Sequence, residues 1–272
     1  MNNELDIFGG GNAPVKTATT EMMVSRQAQE VQAAMVIAKR FPRDEQAAYS
    51  RILNACSRRT LAEKAMYEFP RGGSKITGAS IELAKSLAQN WGNIDFGIIE
   101  LEQKGGKSQV MSYAWDLETN TRQTKVFDVP HIRQTKKGAQ SLTDPRDIYE
   151  LVANQGSRRM RACILGLIPG DVVDGAIKAC EQTLAAKSGT PLATRVGNMA
   201  RAFTEQYGVS IPMIENVIGC NISACSENDF IKLCKIFQSI SDGMASPDKY
   251  FDFSMREVSE EPAEKEVNMD EL

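Results

Sequence analysis

The sequence predicts an α+β protein: helices at the N-terminal end, a three-stranded antiparallel β-meander packed on helices, and a small helical module at the C-terminal end. Three observations carry this. Apolar residues recur at helical spacing as far as Trp91, the period drops to two between Ile94 and Val129, and helical spacing returns after Asp144. With 272 residues, 42% hydrophobic and 25% charged, the chain can bury a core without disulfides or metals.

Residues 1–20, with Gly9-Gly-Gly-Asn-Ala-Pro14 and a Thr-rich stretch, lack periodicity and read as a disordered leader. From Glu21 to Met66, the spacing of Val31, Met35, Ala38, Ala48, Ile52, Leu53, Cys56, Leu61 and Ala65 predicts two or three helices, broken at Phe41-Pro42. Arg71-Gly-Gly-Ser-Lys-Ile-Thr-Gly78 reads as a glycine-rich loop, with Tyr67 and Phe69 beside it. It feeds a helix that places Ala84, Leu87, Ala88 and Trp91 on one face and ends at Gly92.

Three alternating runs follow. They are Ile94–Ile98, Met111–Leu117 and Gln123–Val129, separated by turns at Lys104-Gly-Gly-Lys107 and Glu118-Thr-Asn-Thr121. The odd step at Ile98-Ile99 suggests a bulge. Alternation requires one buried face, and the face with Tyr113 and Trp115 is the expected core side; Ser112, Ala114 and Asp116 form the other. Tyr67 and Phe69 are better candidates for base stacking.

Pro130 ends the meander, and His131-Ile-Arg-Gln-Thr-Lys-Lys-Gly138 reads as a basic loop. Asp144-Pro-Arg-Asp147 starts a helix, with Asp as N-cap, Pro at the first helical position and a carboxylate in the first turn. That helix carries Arg158, Arg159 and Arg161 and ends near Gly166; another runs through Val173, Ile177, Cys180 and Leu184. Residues 21–187 form the α+β core, Gly189-Thr-Pro191 a linker, and residues 192–253 the helical module. Residues 254–272 read as an acidic disordered tail.

The net charge of −3 averages segments of opposite sign. Residues 22–187 hold 24 Lys and Arg against 18 Asp and Glu, whereas residues 254–272 hold two against seven. A basic body is what a phosphate-backbone binder needs. The tail is either a solubilising end or an intramolecular mimic of the polyanion, displaced when nucleic acid binds.

Catalytic signatures are missing. His131 is the one histidine in the sequence, which removes most histidine-based acid–base and metal chemistry. Six cysteines sit in apolar settings and read as reduced core thiols, and the spacing of Cys220, Cys225 and Cys234 is a poor zinc pattern. The glycine loop lacks the spacing and the preceding strand of a nucleotide-binding P-loop. Asp116, Glu118, Asp144 and Asp147 are spaced for turns and caps. The expectation is a non-enzyme without cofactor or metal. No apolar run of membrane-spanning length occurs, and no secretion signal, so the expected compartment is the cytoplasm.

Three features suit anion binding. Arg71 and Lys75 flank backbone N–H groups at a helix start, an arrangement for a single phosphate or a turn that positions the helix. The stretch Arg122–Arg161 holds nine Lys or Arg against four carboxylates, with Lys125 in a strand and Arg133, Lys136 and Lys137 in the basic loop. Arg158 and Arg161 share a helix face, with Arg159 turned about 100° away. Half-buried arginines of this kind bind phosphates, or else form salt bridges to Asp147, Glu150 or a neighbouring subunit.

The order of these parts resembles the phage single-strand annealing proteins, the recombinase group of Erf, RecT and Redβ. The motifs Lys75-Ile-Thr-Gly-Ala-Ser-Ile-Glu-Leu-Ala, Trp115-Asp-Leu-Glu-Thr-Asn-Thr, Val129-Pro-His and Asp144-Pro-Arg-Asp are similar to those of a phage-encoded protein group, and the order of elements, ending in the helix arginines before Gly-Leu-Ile-Pro-Gly, links that group to the annealing proteins. The resemblance implies a ring- or filament-forming homo-oligomer that coats single-stranded DNA and pairs complementary strands without ATP in homologous recombination, in the cytoplasm of a bacterial host. It further implies a basic groove between meander and helix, with Lys125, Arg133, Lys136, Lys137, Arg158, Arg159 and Arg161 near phosphates. The C-terminal module would contact a phage exonuclease or the host single-strand binding protein. Where the Erf-like pattern has an aromatic residue after the arginines, Ala162-Cys163 stands here. The alternative reading is a phage assembly or scaffolding oligomer that does not bind DNA.

Overall fold

The computed structural model describes residues 18–72, 74–135, 138–186 and 189–254. Three helices open the chain, α1 (Ala18–Arg40), α2 (Glu45–Cys56) and α3 (Arg59–Ala62). A hairpin of β1 (Met66–Arg71) and β2 (Ser74–Ala79) leads into α4 (Ile81–Trp91). The meander is β3 (Ile94–Lys104), β4 (Lys107–Asp116) and β5 (Thr121–Pro130), in the order β3-β4-β5. A short hairpin, β6 (Ile132–Thr135) and β7 (Gly138–Ser141), precedes α5 (Pro145–Leu165) and α6 (Gly170–Ala185). Then come α7 (Leu192–Tyr207), α8 (Ile211–Ile218) and α9 (Glu227–Ser241), with 3-10 turns at Ile222–Ala224 and Pro247–Lys249. The α+β architecture is thus the expected one. Among the described residues, no helix is long and apolar enough to cross a membrane.

Local chemistry sets the boundaries. The Ser80 hydroxyl accepts from Leu83 N at the start of α4, and Asp144 Oδ1 accepts from Arg146 N (2.7 Å) at the start of α5. Gly105 and Gly106, both at positive φ, close the β3–β4 hairpin, while Asp116 Oδ1 accepts from the backbone N–H groups of Glu118 and Thr119 to shape the β4–β5 turn. Helix α1 begins at Ala18, inside the stretch expected to be a leader; the rest of that stretch lies outside the described residues, as does the tail beyond Ser254.

Four local expectations change. The glycine-rich loop is the tip of a hairpin: Tyr67 pairs with Gly78 and Phe69 with Ile76, and two glycines at the turn had masked the alternation on either side. The basic loop is likewise mostly hairpin, with Arg133 opposite Gln140. The bulge falls at Leu101, between Glu100 and Glu102, and Ile98 and Ile99 keep regular pairing.

The fourth change concerns the buried face of the meander. Ser108, Val110, Ser112, Ala114 and Asp116 are buried, while Met111, Tyr113 and Trp115 on the opposite face are only half-buried. The cause is the approach of α5. Ser112 Oγ donates to Gly156 O at 2.9 Å, and a Cβ at Gly156 would come within 2.7 Å of Ile98 Cγ2, so this contact requires small side chains. The larger rings are left on the outer side.

One apolar core joins α2, α4, α5 and α6 to the inner face of the meander. The C-terminal helices have their own core, in which Phe203 packs edge-on against Phe237 and Phe251. This module is also bonded to the body. Ile81 N donates to Asp242 Oδ2, the Tyr250 hydroxyl donates to Glu68 O, and α9 packs on β1. All six cysteines are free, and five of them are buried. His131 is buried, with its Nε2 2.8 Å from the Ser108 hydroxyl.

Candidate nucleic-acid interface

Three of the four arginines of α5, Arg158, Arg159 and Arg161, take separate courses, as their helical angles require. The Arg159 guanidinium lies 3.9 Å from the centroid of the Phe127 ring and donates through Nη1 to Gln155 O and Gln155 Oε1. It faces the seam between α5 and β5, beside a cavity of about 330 Å³ lined also by Val129, Ile132 and Leu151. Lys125 projects from β5 on this inner side, next to Cys163 of α5, and is exposed. Lys125 and Arg159 therefore border one seam.

Arg158 and Arg161 leave the other flank of the helix toward the C-terminal module. Arg158 runs beside Gly243. Arg161 lies over the Tyr67 ring, 4.5 Å from its centroid, and its Nη2 donates to Met244 Sδ at 3.4 Å. Its Nη1 is buried without a hydrogen-bond partner. Tyr67 in turn stacks on Phe69, with centroids 6.0 Å apart and planes 28° apart. Tyr67, Phe69 and Arg71 share one face of β1, so Arg71 at the hairpin tip extends the same line of side chains.

Electrostatics sets these arginines apart from the others in the chain. Arg43 is 7% exposed and bridges Asp116 (2.7 Å) and Glu118 (2.9 Å); Arg195 is equally buried and pairs with Glu227. Arg158, Arg159 and Arg161 are half-buried, and none of them forms a salt bridge among the described residues. Asp147, one expected partner, instead pairs with Arg133 at 3.4 Å. Burial, and then the charges of Arg159 and Arg161, hold the Arg158 guanidinium below its ordinary pKa, with Asp242 opposing them. Asp242 is itself buried and occupied by Ile81 N and Gln238 Nε2. The fold has thus gathered three partly desolvated cations with no carboxylate in salt-bridge contact and only the buried Asp242 nearby among the described residues.

The expected site residues divide accordingly. Arg158, Arg159, Arg161, Lys125 and Arg71 form no salt bridge among the described residues. Lys75 points to the opposite face of its hairpin and pairs with Glu68 at 2.9 Å, because Pro70, its cross-strand partner, shares a face with Glu68. Arg133 is half-neutralised by Asp147. Lys136 and Lys137 lie outside the described residues. Tyr67 is an expected stacking residue, whereas Phe127 and the underlying Gln155 were missed, since only the packing of α5 on β5 brings them to Arg159. A larger cavity of about 640 Å³ opens beyond Ser157, but its lining sets Lys64, Lys85 and Arg195 against Glu63, Glu82 and Asp242 and does not favour an anion. Among the described residues, no group of His, Cys, Asp or Glu is placed to hold a metal ion.

Comparison with protein-family models, with curated proteins and with solved structures finds no match for this chain.

Proposed function

We propose that this protein binds single-stranded DNA along α5 and anneals complementary strands without ATP, as a non-catalytic component of phage-type homologous recombination in the cytoplasm of a bacterial host. The observation that carries the reading is the set of α5 arginines without carboxylate partners, in a fold that pairs its other buried arginines. Phosphates relieve that arrangement by supplying charge-assisted, bidentate hydrogen bonds. Phe69, stacked beside Tyr67 and next to Arg71 at the hairpin tip, adds a ring on which a base can stack without regard to sequence. The step from binding to annealing, the ring or filament, and an exonuclease or single-strand binding protein as partner of the C-terminal module all rest on the resemblance to the annealing proteins.

The test is an annealing assay with two complementary labelled oligonucleotides and no ATP. The proposal expects tight binding to either strand, faster pairing than in buffer, and a steep loss of both with salt. Ordered assemblies that form irrespective of DNA and leave pairing unaccelerated would instead support a scaffolding oligomer.

A further inference from the structure

Residues 242–250 leave the end of α9, pass over the flank of α5 that carries Arg158 and Arg161, and return to the core of the C-terminal module at the buried Phe251. The chain reverses because Gly243 takes φ +63°. Gly243 N donates to Ile240 O and Met244 N to Ser239 O, the paired bonds by which a left-handed glycine closes a helix. This turn sets Met244 Sδ on Arg161 Nη2 and lays Gly243 against Arg158, where an added Cβ would lie 4.0 Å from Cδ and Nη1. Farther on, the Tyr250 hydroxyl donates to Glu68 O at 2.7 Å, next to the Tyr67 ring that carries Arg161. A strap of the module thus crosses both arginines and is tied down on β1.

The strap is a poor partner for what it covers. A thioether is a weak acceptor, a glycine offers Arg158 no side chain, and Arg161 Nη1 is buried without a hydrogen-bond partner. Asp242, at the base of the strap, is close enough to influence both arginines, yet its oxygens are taken by Ile81 N (3.1 Å) and Gln238 Nε2 (2.6 Å). By contrast, Arg59 and Arg195 both hold Glu227. The half-buried cations therefore stay under-satisfied while the strap is down. The strap is also lightly packed. Ser246, Asp248 and Lys249 are exposed, and Ser241 and Asp242 line a cleft of about 640 Å³, so its base is not backed by protein on that side. Raising it uncovers little buried surface.

We infer that the strap of residues 242–250 is an autoinhibitory latch, closed over Arg158 and Arg161 in the free protein and lifted when the phosphates of a single strand take those arginines. The inference rests on the nucleic-acid reading above and adds to it a closed state that binding must open. Met244 and a phosphate compete for Arg161 Nη2. The phosphate brings charged oxygens where the strap brings a sulfur, so the strand displaces the strap. Apparent affinity is then lower than that of the open form by the fraction of molecules that are open.

Two measurements on the full chain test it. The first is fluorescence anisotropy with a labelled oligothymidylate, for wild type, Tyr250→Phe, which removes the bond to Glu68, and Met244→Ala, which removes the sulfur; circular dichroism checks folding. Weakening a closed latch by one hydrogen bond is expected to raise affinity about fivefold in Tyr250→Phe, with a rise also in Met244→Ala. The second is hydrogen exchange of the wild type, which needs no variant to fold. Bound oligonucleotide is expected to speed exchange at the Gly243 and Met244 amides, whose bonds to α9 hold the turn. Unchanged or slower exchange there with the strand bound, or variant affinities at or below that of wild type, overturns the latch. Lower affinity in both variants would make the strap a clamp that closes on the strand. Failure of all three proteins to bind removes the nucleic-acid reading and the latch with it, whereas binding with unchanged exchange removes the latch alone.

Discussion

Arg161 lies over the ring of Tyr67, 4.5 Å from its centroid, and Tyr67 lies across Gly78, where a Cβ would come within 2.7 Å of the phenol oxygen. A small residue in β2 thus sets the height of an arginine that α5 carries. Gly78→Ala is expected to lift Tyr67 and unseat Arg161. Oligonucleotide affinity should fall about fivefold, on the order of 1 kcal/mol for a cation–π contact, in this variant and in Tyr67→Leu. Fluorescence anisotropy measures it, and equal affinity in all three proteins would show that the stack plays no part in binding.

Arg158 separates binding from stability. Its guanidinium is held below its ordinary pKa first by burial and then by Arg159 and Arg161, so the folded protein strains against its charge. Arg158→Gln should leave thermal stability unchanged or raised while weakening oligonucleotide binding. The slope of log affinity against log salt should shrink by about 0.7, the value for one phosphate contact on a single strand. A destabilised variant with an unchanged slope would assign Arg158 a packing role instead.

Asp242 provides a change in the opposite direction. Burial raises its carboxyl above the ordinary range, with Ile81 N, Gln238 and Arg161 only partly opposing. A raised value favours the protonated form in the fold. That contribution is complete below the unfolded pKa of about 3.9 and is lost as pH rises through the folded value, so at pH 7 the ionised group is a cost. Asp242→Asn keeps an oxygen to accept from Ile81 N. It should be at least as stable as wild type at pH 7, with the advantage shrinking toward pH 4, as urea denaturation would record. With the carboxylate beside Arg158 and Arg161 removed, affinity for single strands should rise.

Much of this architecture was legible in the sequence. The C-cap Gly92, the N-cap Asp144, the turn glycines 105 and 106 and the switch of period mark α4, α5 and the meander in the sequence. The sidedness of the meander was not legible, because alternation shows that one face is buried without showing which. Large rings suggested the wrong face; the decision was made by Gly156, whose missing side chain lets α5 settle onto Ser112 and Ala114. For the candidate site, the arginines could be read but their surroundings could not. Lys75 and Arg133 look equivalent to Arg158 in sequence, yet the hairpin registers hand one to Glu68 and place the other beside Asp147.

Arg43 ties the exit of α1 to the end of β4. It bridges Asp116 and Glu118 and lies over Trp91 at 5.3 Å. Arg43→Ala would leave two carboxylates in a nearly buried position and should cost about 3–5 kcal/mol. Burial pushes the Glu118 carboxyl up, but hydrogen bonds from Asn93 and Arg43 outweigh it and the net shift is downward. A depressed value contributes stability above the ordinary glutamate pKa of about 4.3, lost as pH falls through the folded value. Wild type should therefore weaken on acidification below about pH 4.3, whereas Arg43→Ala should recover part of its deficit there. Parallel pH profiles for the two proteins would contradict this account.

The central claim is that the unpaired arginines of α5 hold the phosphates of single-stranded DNA. The most direct measurement is retention of a labelled single-stranded oligonucleotide by the full chain and by Arg158→Gln/Arg159→Gln, at ~50 mM and ~300 mM salt. Tight retention by wild type at low salt, lost at high salt and much reduced in the folded double variant, is the predicted result. Failure of the wild type to retain the strand at ~50 mM salt, or equal retention by both proteins, would contradict it.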